Sequence, residues 1–150
     1  MNSQKYSLLI IDTYYPGFLK DWYIKYPKLR NAAYSTQQKA LLSACFGTSD
    51  YYSFNLKKMG YQAEDIIVND ENLQRQWAKE NGLSVSASGV FSKIQMFSYI
   101  HRFVGIPKLV QEIALAQIKA IKPDIVYMQD LSILNTDTLR EVKKLCKLLV

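Results

Sequence analysis

With 150 residues, 49% of them hydrophobic and 21% charged, the chain has the material for one packed domain and is neither disordered nor fibrous. The net charge of +6 raises nucleic acid as a partner, but no arginine-dense stretch or recognition-helix motif accompanies it, which argues against that class. The run Leu8–Ile11 is far too short to span a bilayer and lacks the basic lead-in and small-residue cleavage site of a secretion signal.

Tyr6 to Ile11, apolar and β-branched, predicts a buried parallel strand closed by Asp12 and the turn-forming Tyr14-Tyr15-Pro16-Gly17. Residues 18–26 predict a short helix that Pro27 ends. Ser35 and Gln38 have capping-box spacing, so the next helix is expected to start there and run through Leu41, Leu42 and Cys45 to a break at Gly47. Asp50 restarts it, with Tyr52, Leu56 and Met59 as its stripe and Gly60 at the position of a left-handed C-terminal cap. A second strand follows, centred on Ile66 to Val68. Asn69 or Asp70 then caps a helix through Leu73 and Trp77 that Asn81-Gly82 terminates.

Residues 83–92 have no clear period and read as a loop, and a helix is expected around Lys93–Val104. Pro107 suits the first turn of a further helix whose inward face would be Leu109, Ile113, Ala116 and Ala120. Lys122-Pro123 stops it, and Asp124 to Met128 forms a third strand, expected to be buried on both faces, that ends in the polar pair Gln129-Asp130. A last helix, Asp137 to Cys146, would bury Leu139, Val142 and Leu145, and Leu148 begins a fourth strand.

Strands alternating with helices imply an α/β fold: a single three-layer, Rossmann-like or flavodoxin-like domain with a mostly parallel sheet and helices on both faces. The expected order puts the third strand beside the first and the second on the other flank. The gap between strands one and three is then the switch point at which open α/β sheets bind ligands, with Asp12 to Gly17 facing Gln129 to Ser132. The strand ends polar because its last residues leave the sheet and line a crevice.

Two segments carry a resemblance. Asn55-Leu56-Lys57-Lys58-Met59-Gly60-Tyr61 running into the second strand, and Lys122-Pro123-Asp124 running into the third, resemble the N-terminal half of GT-B glycosyltransferases. Where many of those enzymes carry His-x-His-Asp, this chain has Tyr127 and Gln129, and Asp130 alone matches. The likeness covers about half the chain. It implies an acceptor-side domain that belongs to a longer two-domain enzyme, takes a sugar or glycolipid acceptor, and meets the nucleotide sugar only through a C-terminal domain outside these residues.

Asp12 and Asp130 are the candidate catalytic carboxylates, one of them a general base toward an acceptor hydroxyl; the competing role is helix capping or loop bonding. His101, the only histidine, is a third candidate base, set against simple surface packing. Tyr14, Tyr15, Gly17 and Gln129 are the candidate substrate-binding residues, with Tyr14 and Tyr15 offering rings to a sugar. Phe18 and Trp22, at helical spacing, are read as packing onto the sheet. No metal site and no cofactor are expected. GxGxxG, the P-loop and GxSxG are missing, which sets aside dinucleotide oxidoreductase, NTPase and serine hydrolase classes. Asp12 followed by Thr13 lacks the acidic pair of a receiver domain.

Residues 18–60 carry net +5 and residues 91–122 net +4, while residues 61–90 carry net −3. A solvated lysine face is the first reading of this, with an anionic substrate, an acidic membrane surface contacted peripherally or a nucleotide sugar as alternatives. Cys45 and Cys146 form no CxxC pair, which predicts reduced thiols and a cytoplasmic setting. The alternatives to the enzyme are a free-standing flavodoxin-like binding or regulatory module and a purely structural interaction domain. An apolar fourth strand at a sheet edge predicts homodimers.

Overall fold

The computed structural model describes residues 6–84 and 108–150. Four parallel strands, β1 (Ser7–Asp12), β2 (Gln62–Ile67), β3 (Ile125–Met128) and β4 (Leu148–Leu149), lie in the order β2-β1-β3-β4. The chain is an α/β protein with a Rossmann-like parallel sheet, and β1 pairs with β2 on one side and β3 on the other, as the alternation of elements predicts. Helices α1 (Pro16–Lys25), α2 (Tyr34–Leu42) and α3 (Tyr51–Lys58) connect β1 to β2, with a 3-10 turn at Pro27–Asn31. Helices α4 (Glu71–Glu80) and α5 (Lys108–Ile121) lie between β2 and β3, and α6 (Thr136–Leu145) between β3 and β4.

One sheet face is the main core. Leu9, Ile11, Ile66, Val126 and Met128 pack there against Val110, Ala114 and Ile118 of α5 and Val142 of α6. Each fully buried aliphatic side chain contributes roughly 1.5–3 kcal/mol, so this face supplies much of the cohesion. A second cluster, Tyr14, Leu19, Leu41, Ile67 and Leu73, is flanked by the partly buried Phe18 and Trp22. On α5 the buried residues are Val110, Gln111, Ile113, Ala114, Gln117 and Ile118, so the expected face is rotated: Ile113 stays in it, whereas Ala120 is exposed.

Several expectations are corrected. Helix α2 begins one residue before Ser35, with Ala33 at its cap and no side-chain capping bond. Gln38 instead donates to the Asp65 carbonyl, and Gln74 donates to the Ile67 carbonyl at 2.8 Å. These two amides satisfy carbonyls of β2 on the side away from β1. Helix α2 also stops at Leu42, because Cys45 (φ 51°), Gly47 (φ 59°) and Ser49 (φ 48°) all take left-handed conformations. The α3 stripe is not core: Tyr52 and Met59 are exposed and Ser53 is the buried residue. Nor is β3 buried on both faces, since Ile125 and Tyr127 are half-buried.

Local chemistry closes the elements where it was expected to. Gly60 (φ 83°) ends α3, with Tyr61 N–H on the Leu56 carbonyl and Gly60 N–H on the Lys57 carbonyl. Asp70 caps α4 by accepting from the Asn72 and Leu73 amides. Asp124 of the Lys-Pro-Asp segment accepts from Ser7 N–H and Ser7 Oγ and pairs with Lys147 at 2.8 Å, joining the starts of β1, β3 and β4. The Lys147 ammonium, helped by Ser7, lowers this carboxyl to about 2. The same Asp124 lies at the opposite end of the sheet from Gln129-Asp130.

Candidate functional site at the ends of the first and third strands

The register pairs Ile11 with Met128, so Asp12-Thr13 and Gln129-Asp130 leave adjacent strands at one edge. Gln129 N–H bonds the Ile11 carbonyl at 2.9 Å, which extends the ladder one step and fixes where its side chain starts. Thr13 links the two carboxylates: its N–H donates to Asp12 Oδ1 at 2.7 Å and its Oγ1 to Asp130 Oδ2 at 3.1 Å. Thr48 closes the group from the loop between α2 and α3. Its Oγ1 lies 2.8 Å from Gln129 Oε1 and 3.2 Å from Asp12 Oδ2, so one hydroxyl proton is shared between two acceptors.

The loop that delivers Thr48 is anchored by Phe46, whose ring stacks on Phe18 at 3.9 Å between centroids and meets Tyr14 edge-on at 5.3 Å. Left-handed Cys45 and Ser49 on either side cost about 1–2 kcal/mol each in a chain of L-residues, strain of the kind that gathers at binding loops. Neither Phe46 nor Thr48 was singled out from the sequence. The signal available was a polar residue directly after the glycine that breaks α2. Asn69 was read only as an alternative cap for α4. Its amide accepts from Tyr14 N–H at 2.9 Å and donates to the Tyr14 carbonyl, locking the loop after β1 to the loop after β2.

The candidate residues divide. Asp12, Gln129 and Asp130 come together. Tyr14 is 2% exposed, so its ring belongs to the packed cluster; burial pushes its phenol up to about 12, and the hydroxyl lies beside Ser49 without a well-formed hydrogen bond. Tyr15 is 76% exposed and stands edge-on to Phe46 at 5.7 Å, so it is the tyrosine whose ring is open to solvent. Gly17 sits in the first turn of α1, where an added Cβ would meet nothing within 4 Å. His101, and the helix expected around it, lie outside the described residues.

Burial raises the Asp12 carboxyl above its ordinary range; the Thr13 amide and Thr48 hydroxyl pull it down and the Asp130 charge adds to the rise. Asp130 accepts from Ser132 N–H and Oγ as well as from Thr13. Gln129 Nε2 is buried and has no hydrogen-bond partner, while the Oε1 of the same amide accepts from Thr48. From behind, α5 fixes the following loop: Gln111 donates to the Ile133 carbonyl and accepts from Asn135 N–H. Chemically the group offers a carboxylate made more basic by burial, a second carboxylate, a shared hydroxyl and an unspent amide donor. Such a set can donate hydrogen bonds to hydroxyl groups and accept them. Among the described residues no His, Cys, Asp and Glu cluster is arranged to hold a metal ion, and no helix is long and apolar enough to cross a membrane.

The fold and site define a class: an α/β protein with a Rossmann-like parallel sheet and a polar group at the β1–β3 switch point. Comparison with protein-family models, curated proteins and solved structures finds no match to this chain.

Proposed function

We propose that this chain is the acceptor-binding domain of a GT-B glycosyltransferase that moves sugar from a nucleotide sugar to a polysaccharide or lipid-linked acceptor. The observation that carries the reading is the meeting of Asp12, Thr48, Gln129 and Asp130 at the C-terminal edge of neighbouring strands, where ligands of open α/β sheets bind. An attacking hydroxyl must lose a proton, and a carboxylate with a raised pKa is the better acceptor for it, so Asp12 is the proposed base. Gln129 Nε2 would donate to an acceptor oxygen, Asp130 would accept from a neighbouring hydroxyl, and exposed Tyr15 would stack on a sugar ring. The donor would be held by a second domain, since the sequence has no glycine-rich phosphate cradle.

Calorimetric titration with oligosaccharides and lipid-linked saccharides tests this. Saturable binding is expected, weakened at least tenfold in Gln129→Ala and Asp130→Ala, with no sugar transfer by this chain alone. Absence of saccharide binding would overturn the acceptor role, and robust transfer by these 150 residues would overturn the half-enzyme role.

One observation favours a second reading, a flavodoxin-like binding module without catalysis: each carboxylate is already bonded within the chain, Asp12 to Thr13 and Thr48 and Asp130 to Thr13 and Ser132. Under that reading Asp12→Asn retains full ligand affinity in any assembly and costs no activity. Under the enzyme reading it retains affinity while turnover by the complete enzyme collapses.

A further inference from the structure

Three side chains at the strand ends are one proton short. Thr48 Oγ1 stands 2.8 Å from Gln129 Oε1 and 3.2 Å from Asp12 Oδ2, and its hydroxyl carries a single proton for these two acceptors. Gln129 Nε2, at the other end of the same amide, is buried without a partner. The Gln129 backbone is held by its N–H on the Ile11 carbonyl, and Asp12 Oδ1 by the Thr13 N–H at 2.7 Å. What remains to be set is the direction of the Thr48 hydroxyl and the orientation of the Gln129 amide.

Two arrangements serve all three groups, and they differ by one proton. With Asp12 protonated, its O–H donates to Thr48, Thr48 donates to Gln129 Oε1, and Nε2 is left over. That is the amide orientation in the structure. With Asp12 ionised, Thr48 donates to the carboxylate, and an Oε1 facing the Thr48 oxygen loses its donor. Turning the amide over brings Nε2 to the Thr48 oxygen and leaves a carbonyl oxygen unpaired, which is less costly to bury than an unpaired N–H.

We infer that Thr48 is a positioning residue for Asp12: its hydroxyl reverses direction, and the Gln129 amide turns over, whenever Asp12 gains or loses its proton. The charged and titratable groups facing Asp12 are Asp130 after β3, Asp65 on β2 and the Tyr14 phenol. Asp50, at the start of α3, faces Asp65 and Tyr14, and Lys57 of α3 faces Asp65. Among the described residues no lysine or arginine forms an ion pair with Asp12 or Asp130, so neutral donors answer the Asp12 charge. The relay rests on the reading of this edge as an acceptor site for its purpose. Ionised Asp12 goes with a carbonyl oxygen at the free end of the amide, which suits a ligand that still holds its hydroxyl proton. When that proton moves, the ligand O–H bond breaks and an Asp12 O–H bond forms. The amide then offers Nε2 to the oxygen left negative.

A pH titration of the free chain, followed by nuclear magnetic resonance at the Asp12 carboxyl carbon and the Gln129 side-chain amide, tests it. Both signals are expected to move through one common midpoint. Thr48→Val keeps the shape and removes the hydroxyl, so it should abolish the movement at Gln129, and Thr48→Ser should restore it. Asp12→Asn carries a permanent donor in place of the acid proton, so Gln129 should hold its low-pH shift at every pH. Asp65→Asn and Asp130→Asn should leave the two signals moving together, because the coupling runs through the hydroxyl. A Gln129 amide that ignores the Asp12 titration would overturn the inference. So would movement that survives Thr48→Val or Asp12→Asn, or that disappears in Asp65→Asn or Asp130→Asn, which would assign it to the field of a neighbouring carboxylate. No ligand enters the experiment, so a failure of the relay and a failure of saccharide binding show separately.

Discussion

Two strands of the sheet end in the same chemical signature, an amide followed by a carboxylate, and the two pairs are used in opposite ways. After β2, Asn69 bridges both backbone groups of Tyr14, and Asp70, 1% exposed, caps α4 and accepts from the Tyr23 hydroxyl at 2.8 Å. After β3, Gln129 leaves its Nε2 buried without a partner, and half-buried Asp130 accepts, among the described residues, from the Thr13 and Ser132 hydroxyls and the Ser132 amide. A pair whose hydrogen-bonding capacity is consumed holds the fold. A pair that keeps capacity in reserve at a switch point is the one we propose binds a ligand.

The comparison breaks first at Asp70. Replacing it with alanine removes the α4 cap and strands a buried Tyr23 hydroxyl, so Asp70→Ala should cost roughly 3 kcal/mol, measured by urea unfolding. A loss below about 1 kcal/mol would mean the Asn69-Asp70 pair is not the structural one.

Acid offers the next largest effect. Burial raises both Asp65 and Asp70 from 3.8 to about 6, so the folded chain binds those protons more tightly than the unfolded one. Their stabilising contribution is full below pH 4 and is lost as pH rises through 6, by roughly 3 kcal/mol for a single group. Asp124 runs the other way: its carboxyl is lowered to about 2, and its contribution vanishes as pH falls from 4 toward 2. Stability should therefore climb on acidification from pH 7 to about 4 and fall only below that, as the Asp124 contribution is lost. Asp65→Asn, which keeps an acceptor for the Ser53 hydroxyl, should flatten the upper limb. A midpoint that only declines with acid would contradict the assignment.

Asn69→Ala should cost roughly 2 kcal/mol through the two Tyr14 backbone groups it leaves unpaired. The smallest effect belongs to the other pair. Gln129→Leu removes an orphan donor along with one acceptor for Thr48, and should shift stability by less than about 1 kcal/mol while abolishing ligand affinity.

Strand order, the site edge and several caps were legible because each follows from local chemistry. The apolar runs alternate with helical spacing, Asp70 precedes a helix, and Gly60 supplies the left-handed turn. What was hidden depends on tertiary use of polar groups. Ser35 and Gln38 have capping spacing, yet Gln38 is drawn away to a β2 carbonyl, and α2 starts uncapped. The loop from Cys45 to Ser49 could not be anticipated, because non-glycine residues seldom adopt the left-handed conformation that carries Thr48 to Asp12 and Gln129. The likeness of Asn69-Asp70 to Gln129-Asp130 was visible, but their difference lies in what surrounds each pair. Tyr14 shows the same limit: a tyrosine in a loop looks available, and edge-on packing against Phe18 and Phe46 buries it.

Backbone amide chemical shifts of the isotope-labelled chain, followed while an oligosaccharide ligand is added, test the central claim most directly. The account predicts saturating shifts confined to Asp12–Gly17, Gly47–Ser49 and Gln129–Ser132, with Asn69 and Asp70 little moved. Shifts centred on Asp124 and Lys147 at the opposite end of the sheet, or no saturable shift with any saccharide, would contradict it.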